Sequence, residues 1–382
     1  MPSKMKIGVL TGGGDCPGLN AVIRAVVKTA INDYDMEVVG FMDGYEGLIQ
    51  NRYRKLTSAD VSGILTLGGT ILGTSNRADP FKFPVMQEDD YIYLDRSAEA
   101  IQNFERLGLD ALIAIGGDGT MAASSGMAKK GLNVIGVPKT IDNDLWGSDQ
   151  TFGFDTAVAT ASDAIDKIHT TAQAHHRVMI IEVMGRYAGW LALASGIAGG
   201  GDIILIPEIP YHLDVVCDKI KDRNLSGKNF SIIVIGEGAK PEGGDMVVKK
   251  IVANSPDTIR LGGISNQLAA QIEGVTKLET RVTILGHLVR GGSPTAFDRI
   301  LASRFGTSAV RLAAKKSFGR MIALKGIDIT SIPIEEVAGK LRKVTPGHPW
   351  IRTALSLGTS LGVDDEELLA ESRELEAAET VD

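Results

Sequence analysis

The chain has 382 residues, 44% of them hydrophobic, enough for a large core and for two or more domains. Its formal net charge is −7, and Lys and Arg are dispersed instead of gathered into runs, which argues against a nucleic-acid partner and a polybasic membrane anchor. Cys16 and Cys217 are too few for a disulfide framework, and no stretch approaches about 18 uninterrupted apolar residues, so a cytoplasmic setting without a membrane span is expected.

In chain order, the opening MPSKMKIGVLTGGG has a short apolar run that stops at glycines, which predicts a first strand at 6–10 and not a leader peptide. Strands follow at 37–41, 111–115 and 134–137, separated by helical periods at 19–30, 97–107 and 120–129. A second series starts with a helix over 156–172 and continues through strands at 178–183, 202–206 and 231–235, with a helix near 187–197. Alternation of this kind is the pattern of an α/β fold with mostly parallel sheets covered on both faces, and a site in the cleft between two such sheets is expected. The piece from Arg281 onward, RVTILGHLVRGGSP and then a helix from Thr295, is expected to return to the first domain. The organisation that follows is a first domain of 1–153 plus about 289–335, a second of 154–288 plus about 336–360, and an acidic, solvated tail over 361–382.

Three loops carry the chemistry. Gly-Gly-Asp-Gly-Thr at 116–120 follows a strand; its glycines let backbone N–H groups approach a polyphosphate, and Asp118 is placed to hold Mg²⁺. Pro-Lys-Thr-Ile-Asp-Asn-Asp at 138–144 follows the next strand and brings Asp142 and Asp144 beside that polyphosphate. Each loop alone is equally an ordinary turn; the pair describes phosphoryl transfer to a hydroxyl, where positioning and charge neutralisation do most of the work. The first loop, TGGGDCPGLN at 11–20, lies between a strand and a helix N-terminus, but it has neither the G-x-G-x-x-G spacing nor the Gly-Lys-Ser/Thr ending of a Walker loop. A nicotinamide-dinucleotide dehydrogenase is therefore the weaker reading. Arg177, Arg186, Arg281, His287 and Arg290 form a cationic group suited to a phosphorylated substrate, with Gly185, Gly291 and Gly292 opening the backbone beside them.

With these residues in view, the chain resembles the phosphofructokinase family over roughly 6–312, through TGGGDCPGLN, GGTILGTSNR, IGGDGT, PKTIDND, EVMGRYAG and LGHLVRGGSP in that order. The resemblance implies two Rossmann-like three-layer domains and transfer of the terminal phosphoryl of ATP, with Mg²⁺, to the 1-hydroxyl of fructose 6-phosphate. It also implies a homo-oligomer, tetramer or dimer, with shared active sites. Carried over by motif, Asp142 is the general base, with Asp144, Thr140 and Arg186 completing the catalytic group. Asp118 is the metal position. Gly14, Arg77, Ala78, Gly117, Asp118, Gly119, Thr120 and Lys139 fall at donor-binding positions. Thr140, Ile141, Asp142, Met184, Gly185, Arg186 and Glu237 fall at sugar-contacting positions. Arg177, Arg281, His287 and Arg290 fall at those holding the 6-phosphate, the first two reaching a neighbouring subunit's site.

The donor rests on two side chains. Family members that use pyrophosphate share Lys139 but usually carry Asp where this chain has Gly119, and a carboxylate there would repel the α-phosphate of a nucleotide. The combination of Gly119 with Lys139 resembles the mixed-substrate branch, and Gly119 favours ATP; a pyrophosphate-dependent enzyme is the alternative. An NAD or lipid kinase would share only the Gly-Gly-Asp-Gly loop, and a non-catalytic regulatory subunit would tend to have lost Asp118, Asp142 or Arg186. Arg24 keeps one position of the family's effector site, while His169, Ser226 and Phe230 replace others, so no effector is implied. Cys16 is read as a packed small residue, His175 and His176 as helix-end polar groups, and Trp146, Trp190 and Trp350 as packing residues.

Overall fold

The strand-like runs near the N-terminus join one sheet. In a computed structural model, which describes residues 4–88, 90–251 and 259–370, the strand order of this sheet is Asp328–Pro333, Arg320–Lys325, Val134–Thr140, Ala111–Gly116, Lys6–Thr11, Glu37–Phe41, Tyr53–Leu56. The short strand Phe152–Gly153 pairs alongside Lys139 and Thr140. The inner pairings are parallel and the two edges antiparallel. Ala111–Gly116 and Val134–Thr140 are buried along their whole length, which is why 111–115 and 134–137 read as apolar runs and not as alternating ones. Thr11 sits opposite Ile115, and Gly116 opposite Pro138, so the loops after three adjacent strands leave from one edge of the sheet.

A second sheet has the order Ile203–Leu205, Ser231–Gly236, Val178–Val183, Thr280–Ile284, parallel throughout. Val178, Ile180, Ile233 and Ile235 pack with Val216 and Ile220 of helix Leu213–Leu225 and with Leu268 and Ile272 of helix Ile264–Thr276. The chain divides accordingly: one unit contains the chain to Thr156 and Arg290–Arg342, and the other contains Ala157–Val252, Ile259–Val289 and the chain from Lys343 onward.

Several expectations need correction. Thr280–Ile284 does not return to the first unit: it pairs with Val178–Val183, and the return begins at Arg290. The strand expected at 134–137 runs on through Thr140, because Phe152–Gly153 supplies a partner for its last residues. The helix expected from Thr120 starts at Asp118, after Gly117, so Asp118, Gly119 and Thr120 form a first turn instead of a loop. The hairpin of Phe83–Gln87 with Asp90–Leu94 was not anticipated, since its strands are largely exposed and lack apolar alternation. The expected acidic tail starts as packed structure: Leu361 is buried, 365–370 are helical, and Leu368 is buried, two leucines outweighing the carboxylates between them. Residues 371–382 of that expected tail lie outside the described residues.

Candidate active site

The glycine loop after Lys6–Thr11 is held from three sides. Gly12 donates to the Ile115 carbonyl at 2.8 Å, Gly13 donates to the Ser75 carbonyl at 3.0 Å, and the Thr74 hydroxyl donates to the Gly13 carbonyl at 2.6 Å. The GTSNR segment thus lies against the loop, with Arg77 exposed and Ala78 buried. Thr120 is buried between two glycines: a Cβ on Gly12 would stand 2.7 Å from its hydroxyl, and one on Gly116 2.3 Å. Those glycines are what bring the first turn of helix Asp118–Lys129 up to the first loop. That helix has no side-chain cap, so its leading amides stay available to an anion. Asp118 and Gly119 are exposed in this turn, and nothing lies within 4 Å of a Cβ built on Gly119.

Lys139, buried at the end of its strand, donates to the Gly14 carbonyl at 2.5 Å. Burial pulls its ammonium below the ordinary value and the Arg290 guanidinium adds to this, while Cys16, Asp142 and Asp118 oppose it. Arg290, expected among the 6-phosphate cations, stands here in the first unit: its guanidinium donates to the Asp15 carbonyl at 3.1 Å and lies against Gly14. Cys16 is fully buried and its thiol is pushed up to about 12 by desolvation, in keeping with a packing role.

The carboxylate loop is fixed by its neighbours. Thr140 is buried; its hydroxyl accepts from the Asp142 amide at 3.0 Å and hydrogen-bonds the Asp144 carboxyl. The Thr151 hydroxyl donates to the Thr140 carbonyl at 2.8 Å, and the Thr151 amide donates to Asn143 Oδ1 at 3.0 Å. Ile141 is buried beneath the turn. Asn143, between the two acids, adopts φ 52°, and the Arg342 amide donates to the Asp144 carbonyl at 2.7 Å. Asp142 and Asp144 are half-buried. Desolvation, then the negative charges of Asp142 and Asp118, push the Asp144 carboxyl up to about 8. Beyond desolvation, Asp144 is raised because it stands close to Asp142 and Asp118, a crowding of carboxylates that a divalent cation arriving with a polyphosphate would relieve. Among the described residues no group of three His, Cys, Asp or Glu side chains would cage a metal.

In the second unit, Met184, Gly185 and Arg186 follow Val178–Val183, with the Arg186 guanidinium 5.6 Å from the Tyr187 ring centre. Glu237 is tied alongside through its amide to the Val183 carbonyl at 3.0 Å. Arg177 and Arg281 converge on Glu279: Arg177 Nε is 2.9 Å from it, and Arg281 bonds the same carboxylate and lies 3.6 Å from Glu273. His287 is exposed. His175 and His176 are exposed at a helix end, and Trp190 is fully buried.

Sequence reading missed Gly238, where a Cβ would stand 1.9 Å from the Arg186 carbonyl, so that any side chain there would displace the Arg186 backbone. It also missed Arg342, whose grip on the carboxylate loop joins residues 198 positions apart and leaves no local motif. Glycines on both sides of Glu237 were the one signal available for the former.

A family model described as "Phosphofructokinase" matches residues 6–313. ATP-dependent 6-phosphofructokinase 2 of Clostridium perfringens is 52% identical over 357 residues, spanning 93% of this chain and 98% of that protein. ATP-dependent 6-phosphofructokinase of Chloroflexus aurantiacus is 50% identical over 360 residues, 94% and 98% of the two chains. Among solved structures, phosphofructokinase from Saccharomyces cerevisiae aligns with a TM-score of 0.74 at 29% identity; the match covers 96% of this chain, which spans 50% of the yeast chain. The glycine loop, the acidic turns and the arginine-bearing strands all fall within the matched residues, and this chain belongs to the phosphofructokinase family.

Proposed function

We propose that the chain transfers the terminal phosphoryl group of ATP to the 1-hydroxyl of fructose 6-phosphate, giving fructose 1,6-bisphosphate and ADP. The observation that carries this reading is the convergence, after adjacent parallel strands, of an uncapped glycine-led helix start bearing Asp118 with the Asp142–Asp144 turn. In this reading the first unit takes the donor and the second the sugar phosphate; the relatives' names support ATP as the donor.

The glycine loop and the first turn at Asp118–Thr120 receive the polyphosphate through backbone amides. Mg²⁺, when bound at Asp118, neutralises phosphate charge. Asp142 takes the proton of the sugar hydroxyl as it attacks in line. Asp144, kept largely protonated by burial and its acidic neighbours, donates instead of repelling and so limits the negative charge facing the incoming phosphate. Arg186 stabilises charge on the transferring phosphoryl, where a fixed cation acts most strongly in the transition state. Met184, Gly185 and Glu237 line the sugar, and Arg177, Arg281 and His287 take the 6-phosphate. Arg290, read with them as a 6-phosphate cation, lies against Gly14. No phospho-enzyme is needed, since the one thiol at the loop is buried and protonated.

Open space at Gly119 supports a nucleotide donor. A pyrophosphate-dependent reading has one observation in its favour, the buried Lys139 at the phosphate loop, but that ammonium serves either donor. No described helix is long and apolar enough to cross a membrane. A cytoplasmic homo-oligomer, tetramer or dimer, completes the proposal, and the exposure of Arg281 supports a role for it in a neighbouring subunit's site.

The test is turnover of fructose 6-phosphate by the purified protein with Mg²⁺, comparing ATP with pyrophosphate and detecting fructose 1,6-bisphosphate through aldolase. Product with ATP is expected. Product from pyrophosphate alone would replace the donor, and no product with either would remove the reading.

A further inference from the structure

The loop bearing Arg186 runs from the end of Val178–Val183 to Gly189, the residue before helix Trp190–Ala198. That helix has no acidic residue in its first turn and no side-chain cap from its own N-cap residue, although its leading amides need acceptors. Glu208 supplies one from outside the helix. Both of its carboxylate oxygens lie 3.0 Å from the Gly189 amide, and Oε1 also accepts from the Val344 amide at 2.9 Å. The chain that follows Val344 packs on the same helix start: the buried Trp190 ring meets His348 edge-on at 4.8 Å and Trp350 at 6.0 Å. At the opposite end of the loop, the Gly238 amide donates to the Gly185 carbonyl at 3.1 Å. Arg186 therefore sits on a short span pinned at both ends, and the Glu208 end is the one whose hold is a charged acceptor.

We propose that Glu208 is a positioning residue for phosphoryl transfer, fixing the backbone that aims the Arg186 guanidinium by gathering the Gly189 and Val344 amides on one carboxylate. The inference rests on the reading of Arg186 as the cation of the transition state. Glu208 touches neither substrate in this account. Its effect falls on the rate of the bound complex and leaves substrate affinity nearly intact.

The experiment is a double-mutant cycle between Glu208→Gln and Arg186→Ala, with kcat and KM for ATP and fructose 6-phosphate. Each variant is assayed well below its own melting temperature. Glutamine keeps the shape but replaces one acceptor oxygen with a donor that faces an N–H. The expected result is a loss in kcat of about tenfold for Glu208→Gln with both KM values within about twofold, and about a hundredfold for Arg186→Ala. Adding Glu208→Gln to Arg186→Ala is expected to cost nothing more, because a misaimed guanidinium is no worse than an absent one. Wild-type kcat in Glu208→Gln would overturn the proposal. So would losses that multiply in the double variant, the signature of general destabilisation or of another route. Wild-type kcat in Arg186→Ala would instead remove the premise, a result distinguishable from the other two.

Discussion

In the first unit Asp142 and Asp144 are half-buried and, with Asp118, share one field with the buried Lys139. In the second unit Arg177 and Arg281 are shared out to Glu279, and the side chains of Arg281 and Glu279 are 53% and 41% exposed. Asp144 is desolvated and faces the negative charges of Asp142 and Asp118, so its proton is held up to about pH 8. Arg281 and Glu279 are well exposed, and exposed pairs of this kind are weakly held and easily exchanged for a better anion, while Arg177 is more covered. In the proposed reading, the group assigned to the chemistry is kept under electrostatic stress, while the group assigned to substrate capture is parked on a partner it readily leaves.

The sharpest way to break this comparison is Asp142→Ser. A loss in kcat on the order of 10²- to 10⁴-fold is expected, with KM for fructose 6-phosphate nearly unchanged, because a general base acts only in the reacting complex. Near-normal turnover would take the base role away from the stressed cluster.

Next in size is Gly119→Asp, which adds a second acid beside Asp118 in the first turn of the helix, at a point where nothing blocks a side chain. The kcat/KM with ATP is expected to fall by about a hundredfold, as like charges brought together cost several kcal/mol, with a much smaller loss for pyrophosphate. Equal losses with both donors would show that the effect is general and not a clash with the nucleotide.

Glu279→Gln sharpens the other side of the comparison. Releasing Arg177 and Arg281 from their shared acid is expected to lower KM for fructose 6-phosphate by about two- to fivefold, with kcat unchanged. A raised KM would mean that Glu279 aims the arginines instead of parking them.

The smallest effect concerns a buried acid away from the chemistry. Asp298 accepts from the Thr156 amide at 2.8 Å and from the Thr156 hydroxyl at 2.6 Å, yet desolvation still pushes its carboxyl up to about 6. A carboxyl whose pKa is raised on folding binds its proton more tightly in the native state. It therefore favours that state most at pH below about 4, and this contribution is lost as pH rises through about 6. The melting temperature of the wild type, relative to Asp298→Asn, is expected to drop by a few °C between pH 4 and pH 7. A constant difference over that range would show that Asp298 does not titrate there.

Much of the fold was legible because parallel strands buried on both faces carry their signal locally: 111–115 is a continuous apolar run, 178–183 is broken only by Glu182, and each proved to be a strand. Elements that draw their stability from a distant partner were not legible in the same way. The piece from Arg281 was expected to return to the first domain, whereas the place of Thr280–Ile284 follows from pairing with Val178–Val183, about a hundred residues earlier. The hairpin of Phe83–Gln87 and Asp90–Leu94 is held by its own cross-strand bonds, with little apolar patterning to announce it.

By itself the sequence determined the reaction class, because phosphate-binding turns need glycines and carboxylates at fixed spacings that survive as short motifs. Only the tertiary structure decided how those groups are tuned. It buried Lys139 and set its ammonium on the Gly14 carbonyl, raised Asp144 through its neighbours, laid Arg290 on the donor loop, and tied the Arg186 loop to Glu208. Desolvation and long-range hydrogen bonds depend on which residues surround a group in space, and no local spacing along the chain encodes that.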